Sequence, residues 1–110
     1  MKLFTQEIEE KLQAQYLRTK NEDVDDMESE VVCKIFHPFS NWTWYIINQD
    51  PDDHNYLWGI VDGDFLEIGS FSKSDLEGKI GGLPFERDLS FKPIKAEELF
   101  SKLAFKNKRS

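Results

Sequence analysis

Residues 56–71, YLWGIVDGDFLEIGSF, contain two runs of β-branched and aromatic residues on either side of Asp62-Gly63. Such runs favour strands, and an Asp-Gly pair between them is typical of a two-residue type I′ turn, whose central residues both need positive φ. The sequence therefore predicts a β-hairpin here. Counting back from its turn places Glu67 opposite Trp58, on an aromatic face of the hairpin.

Periodicity and chain breakers predict the elements on both sides of this hairpin. In chain order they are a helix from Thr5 to about Tyr16, an exposed mobile acidic connection over 21–30, strands over 31–37, 42–48, 56–61 and 65–71, a short helix capped by Ser72 and ended by Gly78, Gly81 and Gly82, a fifth strand over 87–91, and a helix from 95 or 96 to 104. The order α-β-β-β-β-α-β-α predicts an α+β fold whose mostly antiparallel sheet has four to five strands. The loop between the second and third strands is expected to be polar, over 49–55.

The length and composition predict one domain with a real core. The chain has 110 residues, of which 39% are hydrophobic and 14% aromatic. We expect a domain over 1–105 and a basic flexible tail over 106–110. The side chains expected in the core are Ile8, Leu12, Trp44, Trp58, Phe71, Leu99 and Leu103. Since no apolar run approaches the roughly 18 residues of a membrane span, no membrane association is predicted. Cys33, the single cysteine, is expected to be a buried small hydrophobe in a reducing cytoplasm.

Charge is distributed unevenly along the chain. Residues 22–67 contain twelve acids and one base, Lys34, which gives −11, whereas the rest of the chain carries +4. The acids outside the strands form a candidate interaction surface: Glu22, Asp23, Asp25, Asp26, Glu28, Glu30, Asp50, Asp52 and Asp53. Such a surface attracts basic partners, so we expect a protein partner, including a basic nucleic-acid-binding protein. A solvated face that only maintains solubility is the alternative.

Two carboxylate arrangements could carry chemistry. Glu67, expected among aromatic rings, needs a partner, and Arg87 can bridge a carboxylate through two hydrogen bonds. We therefore predict a Glu67–Arg87 ion pair, structural or functional. A second candidate is a carboxylate cluster of the type that hard cations prefer, formed by Asp62, Asp64, Glu86 and Asp88. The turn already explains two of these acids and no histidine lies beside them in sequence, so no metal and no cofactor is predicted.

Two other types of site find little support in the sequence. His37 and His54 have no serine or cysteine arranged around them as a nucleophile, so no catalytic residue is predicted. Residues 42–45, WTWY, could stack bases, but stacking platforms need flanking lysines and arginines and this region is acidic. Direct nucleic-acid binding is therefore not expected.

Several motifs together resemble a known family. They are W-T-W-Y at 42–45, L-W-G-I-V-x-G at 57–63, E-x-G-x-F-S at 67–72 and E-R-D-L-x-F-x-P at 86–93. The chain is similar over nearly its whole length to a family of small bacterial proteins of unknown function that phages, plasmids and integrated elements often carry. The resemblance implies a context of mobile DNA, and it implies no activity, cofactor or catalytic residue.

The leading hypothesis is a non-catalytic protein-interaction module that serves as an accessory protein of a mobile element. One alternative is an acidic DNA mimic that inhibits a host or defence DNA-binding protein, since carboxylates can enter a basic groove. A third class is a metal-dependent enzyme that uses the carboxylate cluster. The sequence leaves the oligomeric state open.

Overall fold

The computed structural model of the chain describes residues 1–108, which form an antiparallel sheet with helices on both faces. The elements are α1 (Gln6–Glu22), a 3-10 helix (Asp26–Glu28), β1 (Glu30–Val31), β2 (Cys33–Phe36), β3 (Thr43–Asp50), β4 (Asp53–Asp62), β5 (Leu66–Ser72), α2 (Lys73–Leu76), β6 (Lys79–Ile80), β7 (Leu83–Pro84), β8 (Glu86–Arg87), β9 (Ile94–Lys95) and α3 (Ala96–Lys108). No helix within these residues has the length and apolarity that a membrane crossing requires.

The main sheet has five strands in the order β5-β4-β3-β2-β8, and every pairing within it is antiparallel. Strands β2 to β5 are neighbours in sequence and in space, while β8 returns to the outer edge of β2. Strand β1 pairs with β9, and β6 pairs with β7, in two separate two-stranded sheets. The predicted α+β fold with a mostly antiparallel sheet and helices at both ends is confirmed.

Two hydrophobic clusters cover the two faces of this sheet. The α1 face is filled by Phe4, Leu12, Cys33, Ile35, Ile46, Leu57, Leu76 and Phe85. The α3 face is filled by Val31, Tyr45, Ile47, Ile60, Ala96 and Leu103. Of the predicted core, Leu12 and Leu103 are buried, whereas Ile8, Trp44, Trp58, Phe71 and Leu99 are partly buried and pack against these clusters.

The pairing of β3 with β4 leaves no room for a side chain at Gly59. A Cβ atom at this position would lie 2.0 Å from the carbonyl oxygen of Tyr45, so only glycine fits. Beyond this point the pairing of β3 with β4 shifts register between Ile46 and Asn48. The irregularity changes which side chains of the strand's second half reach each face.

The β4–β5 hairpin forms, but its predicted register is wrong. Asp62 pairs with Leu66 and Val61 with Glu67, which leaves a three-residue loop in place of the two-residue turn. Gly63 does not have a positive φ, so this loop is not a type I′ turn. Glycine is favoured at this position because the Trp42 ring packs against it, and a Cβ on Gly63 would lie 2.6 Å from that ring.

The two-residue turn with positive φ occurs elsewhere. Gly81 and Gly82 have φ values of 58° and 80° and connect β6 to β7. Their predicted role as a helix stop is wrong, because α2 already ends at Leu76. The predicted fifth strand is also shorter than expected, and pairs with β2 only through Glu86 and Arg87.

The acidic connection predicted over 21–30 is largely structured. Helix α1 continues to Glu22 and ends at Asp23, whose φ is 55°. Asp25 then caps the 3-10 helix by accepting a 2.9 Å hydrogen bond from the Met27 backbone. The side chain of Gln15 donates to the Glu30 carbonyl at 2.9 Å and accepts from its amide at 3.0 Å, which fixes the end of the segment to α1.

Two further boundaries differ from the prediction. The polar loop expected over 49–55 is a tight turn, because Asp50 already pairs with Asp53 and both strands extend into it. At the other end of the chain, α3 continues to Lys108 and so includes the first residues of the predicted tail. The remainder of that tail, Arg109 and Ser110, lies outside the described residues.

Candidate functional site

The structure joins the two acidic stretches of the chain, one after α1 and one at the β3–β4 turn. The Asn48 side-chain amide, on β3, donates a 2.8 Å hydrogen bond to Asp26 Oδ1 in the 3-10 helix. The Tyr16 hydroxyl, on α1, donates to Asp50 Oδ2 at 3.4 Å. These contacts bring carboxylates 24 positions apart in sequence to one end of the molecule.

A cavity of 230 Å³ lies between these contacts. It is lined by three aromatic residues and four polar ones: Tyr16, Tyr56, Trp58, Thr19, Lys20, Asp26 and Asn48. Alternation along β4 places Tyr56 and Trp58 on one face of the strand. Trp58 packs against the α3-side cluster, and Tyr56 is 41% exposed at the cavity mouth.

The last turns of α1 supply the opposite wall. Tyr16, Thr19 and Lys20 follow the spacing of three and four residues that places side chains on one helix face. Helix α1 reaches this position because it runs six residues beyond its predicted end at Tyr16. This wall was not predicted for that reason, although Thr19 and Lys20 continue the Tyr16 stripe.

The charged groups of the cavity lining are Asp26 and Lys20, and the Asp50 carboxylate lies beside Tyr16. Burial and the neighbouring Asp50 carboxylate raise the pKa of Tyr16 above its usual value, so this hydroxyl stays protonated. Within residues 1–108, Lys20 takes part in none of the three ion pairs, which join Lys34 to Asp88, Lys73 to Glu9 and Lys102 to Glu98. The Asp26 carboxylate is therefore not balanced by a bonded cation.

One polar atom beside the cavity lacks a hydrogen bond. The Thr19 hydroxyl oxygen is buried and has no partner in the described part of the chain. Buried polar atoms are bonded in the great majority of cases, because an unmade bond costs about 1–3 kcal/mol. This wall of the cavity therefore contains a hydroxyl group whose hydrogen-bonding capacity the described part of the chain does not use.

A second polar cluster lies on the α1 face and has its bonds made within the chain. Gln49 is fully buried, and its amide donates at 2.7 Å to both Glu9 Oε2 and the His54 carbonyl. Gln13 donates to the Gln49 side-chain oxygen at 2.9 Å. Lys73 lies 2.9 Å from Glu9.

The charge of this second cluster is balanced internally. Burial alone would raise the pKa of Glu9, but hydrogen bonds from Gln49 and Lys73 outweigh it and lower that pKa below the usual value. Gln49 was expected in a polar loop, so this cluster was not predicted. No local pattern indicates it, because its members come from α1, β3 and the start of α2.

The predicted Glu67–Arg87 ion pair is wrong. Glu67 is exposed on β5 and Arg87 lies on β8, the two opposite edges of the five-stranded sheet. With neighbouring strands about 4.8 Å apart, the two backbones are roughly 19 Å from each other. The Arg87 guanidinium instead donates to the carbonyl oxygens of Lys2 at 2.9 Å and Leu3 at 2.7 Å. It therefore anchors the start of the chain to β8.

The predicted carboxylate cluster does not assemble. Asp62 ends β4 and Asp64 lies in the β4–β5 loop, whereas Glu86 lies across β2 and β3 on β8. Asp88 pairs with Lys34 at 3.8 Å. Over residues 1–108, no group of three or more His, Cys, Asp or Glu side chains could hold a metal ion.

Two side chains capable of nucleophilic or acid–base chemistry have structural roles. His37 is buried, donates from Nε2 to the Leu83 carbonyl at 2.8 Å and accepts at Nδ1 from the Phe39 amide at 2.9 Å. It thereby holds the β6–β7 hairpin against the main sheet. Cys33 is buried as predicted, and burial raises the pKa of its thiol to about 12. Such a thiol is not a nucleophile near neutral pH.

Comparison with known proteins identifies a family. A family model described as a protein of unknown function (DUF2958) matches residues 3–109. The chain therefore belongs to this family, and the predicted membership in a family of unknown function is confirmed. Searches of curated proteins and of solved structures gave no match.

Proposed function

We propose that this protein is a non-catalytic interaction module that binds a basic protein through its acidic surface. We define the acidic surface as the carboxylates of the two stretches joined around the cavity: Glu22, Asp23, Asp25, Asp26, Glu28, Glu30, Asp50, Asp52 and Asp53. The observation that carries the proposal is the pair of contacts from Asn48 to Asp26 and from Tyr16 to Asp50, which unite both stretches at one end of the fold.

Charge complementarity supports this choice of partner. Residues 22–67 carry −11, so the field at the acidic surface favours lysine-rich and arginine-rich chains and opposes nucleic acids. The attraction acts mainly on the association rate and weakens as salt screens it, with a Debye length of about 8 Å at physiological ionic strength. A role as accessory protein of a mobile element is also part of the proposal and derives from the family resemblance, while a cytoplasmic location is inferred from the single unpaired cysteine.

A charge-matched pair of variants tests the proposal. The surface variant carries Glu22→Gln, Asp23→Asn, Asp25→Asn, Asp52→Asn and Asp53→Asn. The control variant removes the same charge from exposed acids elsewhere, through Glu7→Gln, Glu10→Gln, Asp75→Asn, Glu77→Gln and Glu97→Gln. Each protein is used to capture partners from the native host at low and high salt, and the captured protein is then purified and its Kd measured.

We expect a basic protein that binds wild type and the control variant similarly and the surface variant at least about tenfold more weakly, with affinity falling as salt rises. Equal binding by both variants would reject the acidic surface as the interface. Binding that is insensitive to salt would reject charge complementarity as its basis.

The same purified partner addresses the DNA-mimic alternative. If the partner is a DNA-binding protein whose DNA site accepts the acidic surface, duplex DNA and this protein will compete for it. Simultaneous binding of DNA and this protein would be compatible with an interaction module and would reject the DNA-mimic alternative.

A further inference from the structure

We propose that the cavity between α1 and β4 binds a guanidinium group, supplied by an arginine side chain of the basic partner. This inference rests on the proposed function and adds a specific anchor to it. Charge alone does not distinguish one basic chain from another, whereas a shaped cavity that accepts one side chain does.

The aromatic walls suit a planar cation. Tyr16, Tyr56 and Trp58 line the cavity from two elements, and cations are attracted to the faces of such rings. A guanidinium is planar, stacks on aromatic faces and is more weakly hydrated than an ammonium, so it loses less on entering. Tyr56, at 41% exposure, leaves the mouth accessible.

The polar lining offers hydrogen-bond acceptors to the same guest. Asp26 Oδ1 accepts from Asn48, and no other side chain of residues 1–108 hydrogen-bonds to this carboxylate. Its second oxygen can accept from a guanidinium N–H. The tyrosine hydroxyls and the side-chain oxygen of Asn48 are further acceptors for the N–H donors of arginine.

The size of the cavity indicates a side chain in preference to a larger ligand. Pockets for drug-sized molecules and cofactors are about 300–1,000 Å³, and this one is 230 Å³. The acidic surroundings also disfavour nucleotides and other anions. Arginine therefore fits both the volume and the sign of the field.

For Lys20 the proposal predicts that removal of the side chain strengthens binding of the guest. Its side chain lines the cavity and is exposed, and it takes part in no described ion pair or cation–π contact. As a cation near the mouth it opposes a cationic guest. Its removal should tighten binding, whereas removal of a purely structural side chain would not.

The test uses the full chain and N-acetyl-arginine amide as the probe, followed by NMR. We expect saturable shifts of the Trp58 indole N–H and the Asn48 side-chain amide, with a Kd of about 1 mM, corresponding to roughly 4 kcal/mol. N-acetyl-citrulline amide, which has nearly the same shape but no charge, should bind at least about tenfold more weakly. N-acetyl-lysine amide should fall between them.

Four variants separate the cavity from the rest of the molecule. Asp26→Asn should weaken binding about tenfold, Tyr56→Leu several-fold, and Lys20→Met should tighten it. Trp42→Leu serves as the matched aromatic control, since Trp42 is similarly exposed but lies on the β2–β3 turn away from the cavity, and it should change nothing. Tyr56 and Lys20 are exposed, so these variants report on binding even if Asp26→Asn disturbs the 3-10 helix.

Equal binding of the arginine and citrulline probes, or unchanged affinity in both Lys20→Met and Tyr56→Leu, would overturn the proposal. The two proposals also fail separately. A partner that requires the acidic surface but binds Tyr56→Leu as tightly as wild type would reject the arginine anchor alone. An arginine probe that binds the cavity while no basic protein depends on the acidic surface would reject the interaction module.

Discussion

The polar cluster around Gln49 and the cavity beside Trp58 lie near the same end of β3 and β4 and contain similar side chains. Each has a carboxylate, an amide from β3 and a lysine. In the first, Lys73 lies 2.9 Å from Glu9, and the Gln49 amide donates both to Glu9 and to the His54 carbonyl. In the second, Lys20 makes no ion pair among the described residues, and Asp26 is bonded only by an amide.

The difference follows from which element supplies the lysine. Lys73 begins α2, directly after β5, and its nitrogen lies over the Phe4 ring on the α1 face. Lys20 stands in the last turn of α1, where it extends toward solvent. The fold therefore pairs the lysine with the carboxylate where it fastens α1 to the sheet, and leaves Lys20 and Asp26 without an ion pair among the described residues at the open cavity.

The largest expected effect is at the buried amide. Gln49→Leu removes donors to Glu9 and to the His54 carbonyl in a fully buried position, so it should lower the unfolding free energy by about 3 kcal/mol. Asn48→Leu, its neighbour in the open cavity, breaks one described hydrogen bond and should cost about 1–2 kcal/mol. Urea titrations of both would refute the comparison if their order were reversed.

The two lysines should differ next. Lys73→Met leaves Glu9 without its ion-pair partner in a partly buried setting and should destabilise by about 1 kcal/mol. Lys20→Met, a substitution of the same kind on an exposed helix face, should stay within about 0.5 kcal/mol of wild type. Equal losses in thermal unfolding would show that Lys20 also balances a charge.

A pH series sharpens the same comparison. Because the pKa of Glu9 in the folded protein is lowered below 4.5, its contribution to stability is fully present above that value and is lost as pH falls through the folded pKa. The stability difference between wild type and Glu9→Gln should therefore shrink on acidification from pH 7. A constant difference would mean that the cluster does not favour the charged form.

The smallest effect belongs to the unpaired hydroxyl. Thr19→Val keeps the shape of the side chain and removes an oxygen that makes no described hydrogen bond, so stability should change by less than about 0.5 kcal/mol or rise slightly. Ser29, which is buried and accepts a hydrogen bond from Arg18, provides the contrast. A loss of more than about 1.5 kcal/mol in Thr19→Val would reveal a partner for its hydroxyl.

Sequence patterns predicted the order of the elements because hydrophobic periodicity acts locally. The four central strands and both terminal helices follow from runs and caps such as Thr5, which accepts from the Ile8 amide. The register of the β4–β5 hairpin could not be predicted in the same way. Gly63 is required by a tryptophan from another turn and not by its own φ, and one sequence cannot show that contact.

The candidate site depended even less on local pattern. The negative charge of both acidic stretches could be counted, but their meeting could not. The contact between Asp26 and Asn48 follows an α1 helix that continues to Glu22, six residues beyond its predicted end, and a register shift of β3 after Ile46. Neither feature could be predicted from local pattern. The Glu67–Arg87 prediction failed because the strand order could not be read from local pattern, and β5 and β8 form opposite edges of the sheet.

The late return of the chain to β2 and β1 has a kinetic consequence. The β3–β4 and β4–β5 hairpins close between neighbours in sequence, whereas β2 pairs with β8 through Ile35 and Arg87, and β1 pairs with β9 through Glu30 and Lys95. Closing the longer loops costs more chain entropy before any contact stabilises them. We therefore expect the central hairpins to be formed in the folding transition state and α3 to dock afterwards. Ile94→Ala should then speed unfolding while leaving the folding rate nearly unchanged.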